Sequence, residues 1–325
     1  MRKHLFSDGV LSQLDASDAT PFERKPSAVT IGSYDGVHLG HRAILSTLVS
    51  EAKAKGLRSL VITFEPHPRL VLGKDNGKSI RLLSTLDEKL VVMESLGIDC
   101  VVVIRFTKEF SETPADVFVE DFLVGRIGLA EIVVGYDHMF GKNRGGSFET
   151  LLRLAEKHGF SVRRIPEQKV DEHHLSSTAI RRALEAGEIG QANKLLGAPY
   201  QLSALVIEGE KRGRLIGFPT ANLLPPSEKL IPKRGVYAVE VEVDGKRFRA
   251  MMNIGFRPTV REDDRLSLEV HLLDFDGELY GKRLAIHFLA RLRDERKFAN
   301  LAELKAQLER DRQAALQVAS EFSLA

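Results

Sequence analysis

A chain of 325 residues, 43% hydrophobic and 28% charged, has the composition of an ordinary globular protein and is long enough for two cores. Its formal net charge of +2, with no basic stripe and no block of like charge, speaks against nucleic acid and against an electrostatic membrane contact. No apolar run approaches a membrane span and the charged N-terminus lacks a signal-peptide core, while the lone Cys100 lies in the apolar run 100–104. A buried, reduced thiol and a cytoplasmic location are therefore expected.

Residues 1 to about 27 read as an irregular lead-in with room for one strand. Strand-like and helical patterns then alternate. Residues 28–31 form a strand, and a helix over about 38–55 follows with Ile44, Leu45, Leu48, Val49 and Ala52 on one face and Gly56 as its stop. Next come a strand at 60–64, a helix near 86–96, a strand at 100–106 and a helix that Thr113 could cap. A strand at 132–134, a helix near 148–158 and a strand at 162–165 continue the series. Apolar strands separated by helices predict a parallel sheet covered on both faces, with ligands at the carboxyl ends of its strands.

Three motifs fall at those ends. Gly32-Ser33-Tyr34-Asp35-Gly36-Val37-His38-Leu39-Gly40-His41 leads from the first strand into the first helix. A helix N-terminus presents unpaired N–H groups and partial positive charge, which suit a phosphate. His38 and His41, at i and i+3, share one face, and Gly40 leaves room for a ligand beside the backbone. Two imidazoles at such a place suggest phosphate-transfer chemistry. Phe64-Glu65-Pro66-His67-Pro68 ends the second strand as a rigid loop, structural or catalytic. The glycine-rich, basic loop 135–146, with Asp137, His138 and Phe140, is either a mobile surface loop or a binding loop.

Ser176-Ser177-Thr178-Ala179-Ile180-Arg181 opens a further helix, as a plain N-cap or as a phosphate site with Arg181 and Arg182. The segment 73–79 resembles a P-loop but is one residue short of the G-x-x-x-x-G-K-[ST] pattern, and it reads as a flexible loop.

Beyond about Tyr200 the periodicity changes. Residues 203–207, 235–243, 247–254, 266–273 and 284–289 alternate as strands, Asp244-Gly245 and Asp276-Gly277 supply hairpin-type turns, and a helix over about 301–322 closes the chain. A small antiparallel barrel with a terminal helix is expected, and the change near 197–199 divides the chain into domains 1–198 and 199–325. The loop 209–217 brings three cations among glycines, able to wrap phosphates. Thr220 and Asn222, two apart in an extended segment, lie on one side where they can hold Mg²⁺ and orient a phosphate. Glu269, inside an apolar strand, is either on a wet face or an active-site base.

Together these residues resemble the bacterial bifunctional riboflavin kinase/FMN adenylyltransferase family over about residues 28–312. The 32–41 segment resembles its G-x-x-D-G-x-H-x-G-H signature, and 64–68, 135–146 and 177–181 its later motifs. Residues 213–222 carry the G-x-P-T-A-N segment, and 253–259, 269–275, 279–281 and 293–298 complete the order. The resemblance implies a Rossmann-like nucleotidyltransferase domain followed by a riboflavin-kinase β-barrel. It also implies two ATP- and Mg²⁺-dependent reactions: riboflavin to FMN, then FMN to FAD with release of pyrophosphate.

By the same resemblance, His38 and His41 stabilise the transferred phosphate, and Gly32, Gly36, Gly40, Ser177, Thr178 and Arg181 bind the nucleotide. Asp137, Pro66, Phe140 and Arg293 contact flavin. Gly213, Arg214 and Gly217 cover the kinase ATP, Thr220 and Asn222 hold the metal, and Glu269 is the base. Where the family usually has an aromatic residue and often an arginine after Asp137, this chain has His138-Met139. The remaining alternatives are a riboflavin kinase whose N-terminal domain transfers no AMP, and a non-catalytic flavin-binding protein. Either way the expected partners are small molecules, with the chain a monomer or weak homo-oligomer.

Overall fold

Valine- and isoleucine-rich runs separated by helices build a parallel sheet in the first of two units of the computed structural model. The structure describes residues 1–14, 21–73, 80–167, 169–170, 173–209, 216–256 and 266–318. The first unit comprises Met1–Ile80 with Leu86–Leu175, the second Arg81–Thr85 with Ser176–Ala325. In chain order the elements of the first unit begin with strands β1 (Arg2–Ser7), β2 (Val10–Gln13) and β3 (Ser27–Ile31), then helix α1 (Leu39–Lys55). Strand β4 (Arg58–Glu65) and helices α2 (Pro68–Leu72) and α3 (Leu86–Ser95) follow, then β5 (Cys100–Arg105), α4 (Lys108–Ser111) and α5 (Ala115–Val117). The chain continues as a π-helix (Phe118–Ile127), β6 (Leu129–Gly135), α6 (Phe148–His158), β7 (Ser161–Ile165) and a small pair, β8 (Lys169–Val170) with β9 (His173–His174).

The sheet runs β2-β1-β5-β4-β3-β6-β7, parallel except for the β1–β2 hairpin. Its two faces carry separate cores, as alternation along each strand requires. Val29, Ile31, Leu60, Ile62 and Val102 pack against the π-helix and α6. Ala28, Val61, Val101 and Val103 pack against α1 and α3. Cys100 is a buried free thiol, its pKa pushed up to about 11 by burial.

Two expectations are corrected. The lead-in holds two strands, and β1 joins the sheet in parallel with β5, pairing His4 with Val102 and Phe6 with Ile104. Arg2, Lys3 and a fully buried His4 disguise that strand, whereas Asp8-Gly9, both at positive φ, is a hairpin signal that could have revealed it. Thr113 caps nothing: Pro114 is the N-cap of α5, without a side-chain bond, and Thr107 caps α4 through Phe110 N–H.

The second unit comprises α7 (Ser177–Ala186), α8 (Ile189–Leu196), β10 (Tyr200–Ile207), β11 (Ala221–Leu224), β12 (Gly235–Val243), β13 (Lys246–Phe256), β14 (Leu266–Leu272), β15 (Arg283–Arg293) and α9 (Leu301–Gln317). Its strands close a barrel in the order β10-β11-β14-β13-β12-β15. Asp244 (φ 50°) and Gly245 (φ 75°) form the β12–β13 hairpin turn. Asp276-Gly277 is no hairpin turn, because β14 and β15 are not neighbours; it belongs to a connection that passes across the barrel. Helix α8 joins the barrel through Asn193, which donates to Phe288 O at 2.9 Å and accepts from Tyr200 N–H at 2.8 Å. The packing boundary therefore falls at Leu175/Ser176, earlier than the change of periodicity at 197–199. Among the described residues no helix is long and apolar enough to cross a membrane.

Candidate active sites

The 32–41 segment folds as the sequence suggested, with more strain than it revealed. Val37 N–H donates to Tyr34 O at 3.2 Å, closing a turn whose third residue, Gly36, has φ 88° as a type II turn demands. Tyr34 and Val37 also hold positive φ, 48° and 39°, and for β-branched Val37 that is a genuine outlier. Such strain persists only where the surroundings over-determine the backbone. Here Gly32 N–H bonds Ile62 O, and Tyr34 OH meets Thr30 Oγ1 at 2.8 Å while that hydroxyl donates to Val133 O. Burial raises the pKa of the Tyr34 phenol further beyond its ordinary range.

His38 is the N-cap of α1. Its Nδ1 accepts from His41 N–H at 3.4 Å, and the two rings stack at 3.7 Å between centroids. No acidic side chain occupies the first turn, so the helix N-terminus is left to an outside anion. Burial pushes His38 down to about 4, against the pull of Asp137. It pushes His41 well down too, helped by His38 and by Lys89. Both imidazoles are thus neutral at pH 7. His38, accepting at Nδ1, carries its proton on Nε2. His41 Nδ1 is buried without a hydrogen-bond partner among the described residues.

A cavity of about 980 Å³ opens beside this pair. Gly32, Ser33, His41 and Asp137 are among its polar lining residues, and Phe64, Phe106, Phe110, Phe118 and Phe140 among its apolar ones. Phe140 and Gly146 pair by two backbone hydrogen bonds, which tie the loop between them. His138 stacks at 5.7 Å on Phe140, and burial brings its pKa down to about 4. Pro66, joined to Glu65 by a cis bond, is exposed, and its neighbours Phe64 and Pro68 line the cavity.

The barrel carries the second constellation. Thr220 Oγ1 donates to Glu269 Oε2 at 3.2 Å, and Ser267 Oγ to Oε1 at 3.2 Å. Asn222 and Asn253 stand opposite Glu269 on the two neighbouring strands, so their side chains share its face. A Cβ at Gly209 would lie 1.8 Å from Asn222 Nδ2, so a larger residue there would displace the Asn222 side chain. His271 Nδ1 donates to Pro219 O at 2.7 Å, and its ring meets Phe218 edge-on, fixing the chain just before Thr220. Thr220 lines a cavity of about 500 Å³ with Val206, Phe275, Leu279 and Tyr280.

Known proteins share this plan. Residues 21–179 match the FAD synthetase family model and residues 196–319 the riboflavin kinase model. A bifunctional riboflavin kinase/FMN adenylyltransferase from Listeria monocytogenes is 42% identical over 88% of this chain and 90% of its own. One from Bacillus subtilis is 39% identical over 90% and 93%. The chain belongs to the bifunctional riboflavin kinase/FMN adenylyltransferase family. A crystal structure from Streptococcus pneumoniae, described as a macrolide-efflux protein, shares the fold at a TM-score of 0.82 with 28% identity, covering 90% of this chain and 95% of that one.

A member of this family is an enzyme with both domains, and the expected site residues distribute between them unevenly. Gly32, Gly36, Gly40, His38, His41, Asp137 and Phe140 gather in the first unit. Ser177, Thr178 and Arg181 belong to the second, where Ser176 caps α7 and Arg181 Nε donates to Arg81 O. Gly213 and Arg214 lie outside the described residues, while Gly217 holds φ 82°. Arg293 is gripped by Asp311 of α9 through Nε and Nη2, with its guanidinium 5.8 Å from the Phe298 ring. Sequence reasoning missed Lys89, His271, Phe106 and Phe110. The phenylalanines were visible as apolar residues after a strand end; the lysine had no signal at all.

Proposed function

We propose that the two activities of this family reside in separate sites of this chain, adenylyl transfer at the 32–41 turn and riboflavin phosphorylation at Glu269. The functional domains are residues 1–198 and 199–325. The observation that carries this reading is that each unit holds its own cavity, one lined by His41 and Asp137 and the other by Thr220 near Glu269, and that these residue sets suit different nucleophiles.

In the first reaction the FMN phosphate attacks the α-phosphate of ATP and pyrophosphate departs. A phosphate with its second pKa near ~6 is already anionic at neutral pH, so no protein base is needed. Catalysis is then positioning plus stabilisation of developing charge. Neutral His38 and His41 supply N–H donors, and the N–H groups at the start of α1 add to them. Gly32, Gly36 and Gly40 let the nucleotide approach the backbone, and Ser177, Thr178 and Arg181 hold the leaving pyrophosphate. The phenylalanine wall, with Asp137, Pro66 and Phe140, takes the flavin ring.

In the second reaction the nucleophile is a ribityl hydroxyl, whose proton must go somewhere as the γ-phosphate is attacked. Glu269 takes it. Mg²⁺ arriving with ATP supplies charge neutralisation on the phosphates. The donor set fits such a hard ion: Thr220 offers a hydroxyl oxygen, Asn222 an amide oxygen, and Glu269 a neighbouring carboxylate. The loop with Gly213, Arg214 and Gly217 covers the nucleotide, and Arg293, held by Asp311, bears on the flavin through Phe298. The enzyme works in the cytoplasm on small molecules, as a monomer or weak homo-oligomer.

Incubation with riboflavin, ATP and Mg²⁺ followed by chromatography tests the reading. FMN and then FAD are expected. FMN that never proceeds to FAD, even when supplied directly, would remove the adenylyl-transfer half.

A further inference from the structure

Lys89, in the first turn of α3, is 2% exposed, yet its ammonium donates to a single acceptor among the described residues, the carbonyl of Ser33 at 3.2 Å. Thr63 Oγ1 donates to the same oxygen at 3.4 Å. That carbonyl stands at the entry to the strained turn, one residue before Tyr34 and four before Val37. The positive φ of a residue such as Val37 costs on the order of 1–3 kcal/mol, so contacts outside the turn must hold it.

A hydroxyl would be enough to satisfy a carbonyl, as Thr63 illustrates. Burying an ammonium is far more costly than burying a hydroxyl, so its presence calls for a use of its charge. The charged and titratable groups bearing on it are Glu65 at the end of β4, Asp35 inside the turn, and His41 on α1. Burial lowers the Lys89 pKa, and the Glu65 and Asp35 carboxylates oppose that shift and favour the charged form. Lys89 therefore sets a cation beneath the turn that opens into the cavity, without itself lining that cavity.

We propose that Lys89 is a positioning residue of the adenylyl-transfer site: it clamps the Ser33 carbonyl and places a positive charge beneath the turn that receives the ATP phosphates. The role rests on the reading of the 32–41 turn as that ATP site. It acts through the backbone and the local field, so its loss should appear in kcat for FAD formation and hardly in the KM for FMN.

Three variants test it: Lys89→Met, which removes charge and donors, Lys89→Gln, which keeps a donor without charge, and Lys89→Arg, which keeps both. Each is assayed for FMN-to-FAD conversion and, on the same sample, for riboflavin-to-FMN conversion as a check on folding. Met and Gln should lower kcat for FAD formation about 100-fold, the scale of a small misplacement of reacting groups, with the kinase rate unchanged. Arg should retain most of the rate. If the Met variant loses kinase activity as well, the Gln and Arg variants decide. A Gln variant as fast as the unaltered protein, or an Arg variant as slow as Met, overturns the proposal. His41→Ala separates the two levels. If it abolishes FAD formation while Lys89→Gln does not, Lys89 loses its role and the site stands; if it leaves FAD formation intact, the site reading itself falls.

Discussion

The two candidate sites solve related problems with opposite materials. In the first unit the proposed working groups are neutral, buried imidazoles on a strained turn, with the Lys89 amino group beneath the backbone. In the barrel the proposed working group is a strand carboxylate, Glu269, steadied by the hydroxyls of Thr220 and Ser267, with two asparagines opposite it on the neighbouring strands. The difference follows the nucleophile. A phosphate needs only donors placed where charge develops, and preorganised donors demand a stiff backbone. A hydroxyl needs a proton acceptor, and a strand can hold a carboxylate with ordinary geometry.

The largest effects should come from exchanging these materials for nothing. Glu269→Ala is expected to lower FMN formation by about 1,000-fold, within the range of a lost general base, and to leave FAD formation from supplied FMN near its original rate. His41→Ala should do the reverse, by about 100- to 1,000-fold, the scale of a lost charge-stabilising donor. Steady-state assays of both reactions on both variants give the answer. A variant that stays folded and loses both activities would show that the sites are not separate.

Much of this was legible along the chain because it is local. The apolar strands, the α1 face with its Gly56 stop, and the Asp244-Gly245 turn rest on periodicity and on residues that tolerate positive φ. The histidine turn was legible for the same reason, since glycines and imidazoles lie within ten residues. What escaped depends on distant partners. Lys89 sits in Leu86-Asp87-Glu88-Lys89, which reads as the solvated start of a helix until the Ser33 carbonyl, from a loop 56 residues earlier, accepts from its ammonium. The Asp311 partner of Arg293 comes from α9, and Asn193 ties α8 to Phe288 and Tyr200 across the change of periodicity, contacts that no local pattern announces. Strand β1 was hidden by Arg2, Lys3 and His4, although it lies inside the sheet between β2 and β5.

A change of pH should sharpen the contrast at intermediate size. His38 is neutral in the folded protein down to about 4 but protonates near its ordinary value of 6.5 when unfolded. Between those values the unfolded chain binds more protons, so the first unit gains stability as pH rises and loses it as pH falls from about 6.5 towards 4. The loss by pH 5 is on the order of 2 kcal/mol from this residue. Hydrogen exchange of the α1 amides at pH 7 and pH 5, corrected for intrinsic rates, measures it. His38→Gln should flatten the dependence, and an unchanged dependence would mean that His38 is not held neutral.

The smallest effect concerns how stiff the barrel site must be. His271 donates from Nδ1 to Pro219 O, and burial lowers its pKa, so the ring serves as a neutral strut one residue before Thr220. It does not itself line the cavity, but it holds the carbonyl of Pro219, which does. Replacing it with alanine leaves Thr220 tethered through Glu269 but frees the proline carbonyl, so the ATP-side geometry loosens and the base stays in place. His271→Ala should raise the kinase KM for ATP by about 10-fold, the equivalent of one net hydrogen bond, with a smaller change in kcat and none in FAD formation. A fall in kcat as deep as that of Glu269→Ala would make the strut part of the chemistry, and the barrel would then depend on preorganised backbone as heavily as the histidine turn does.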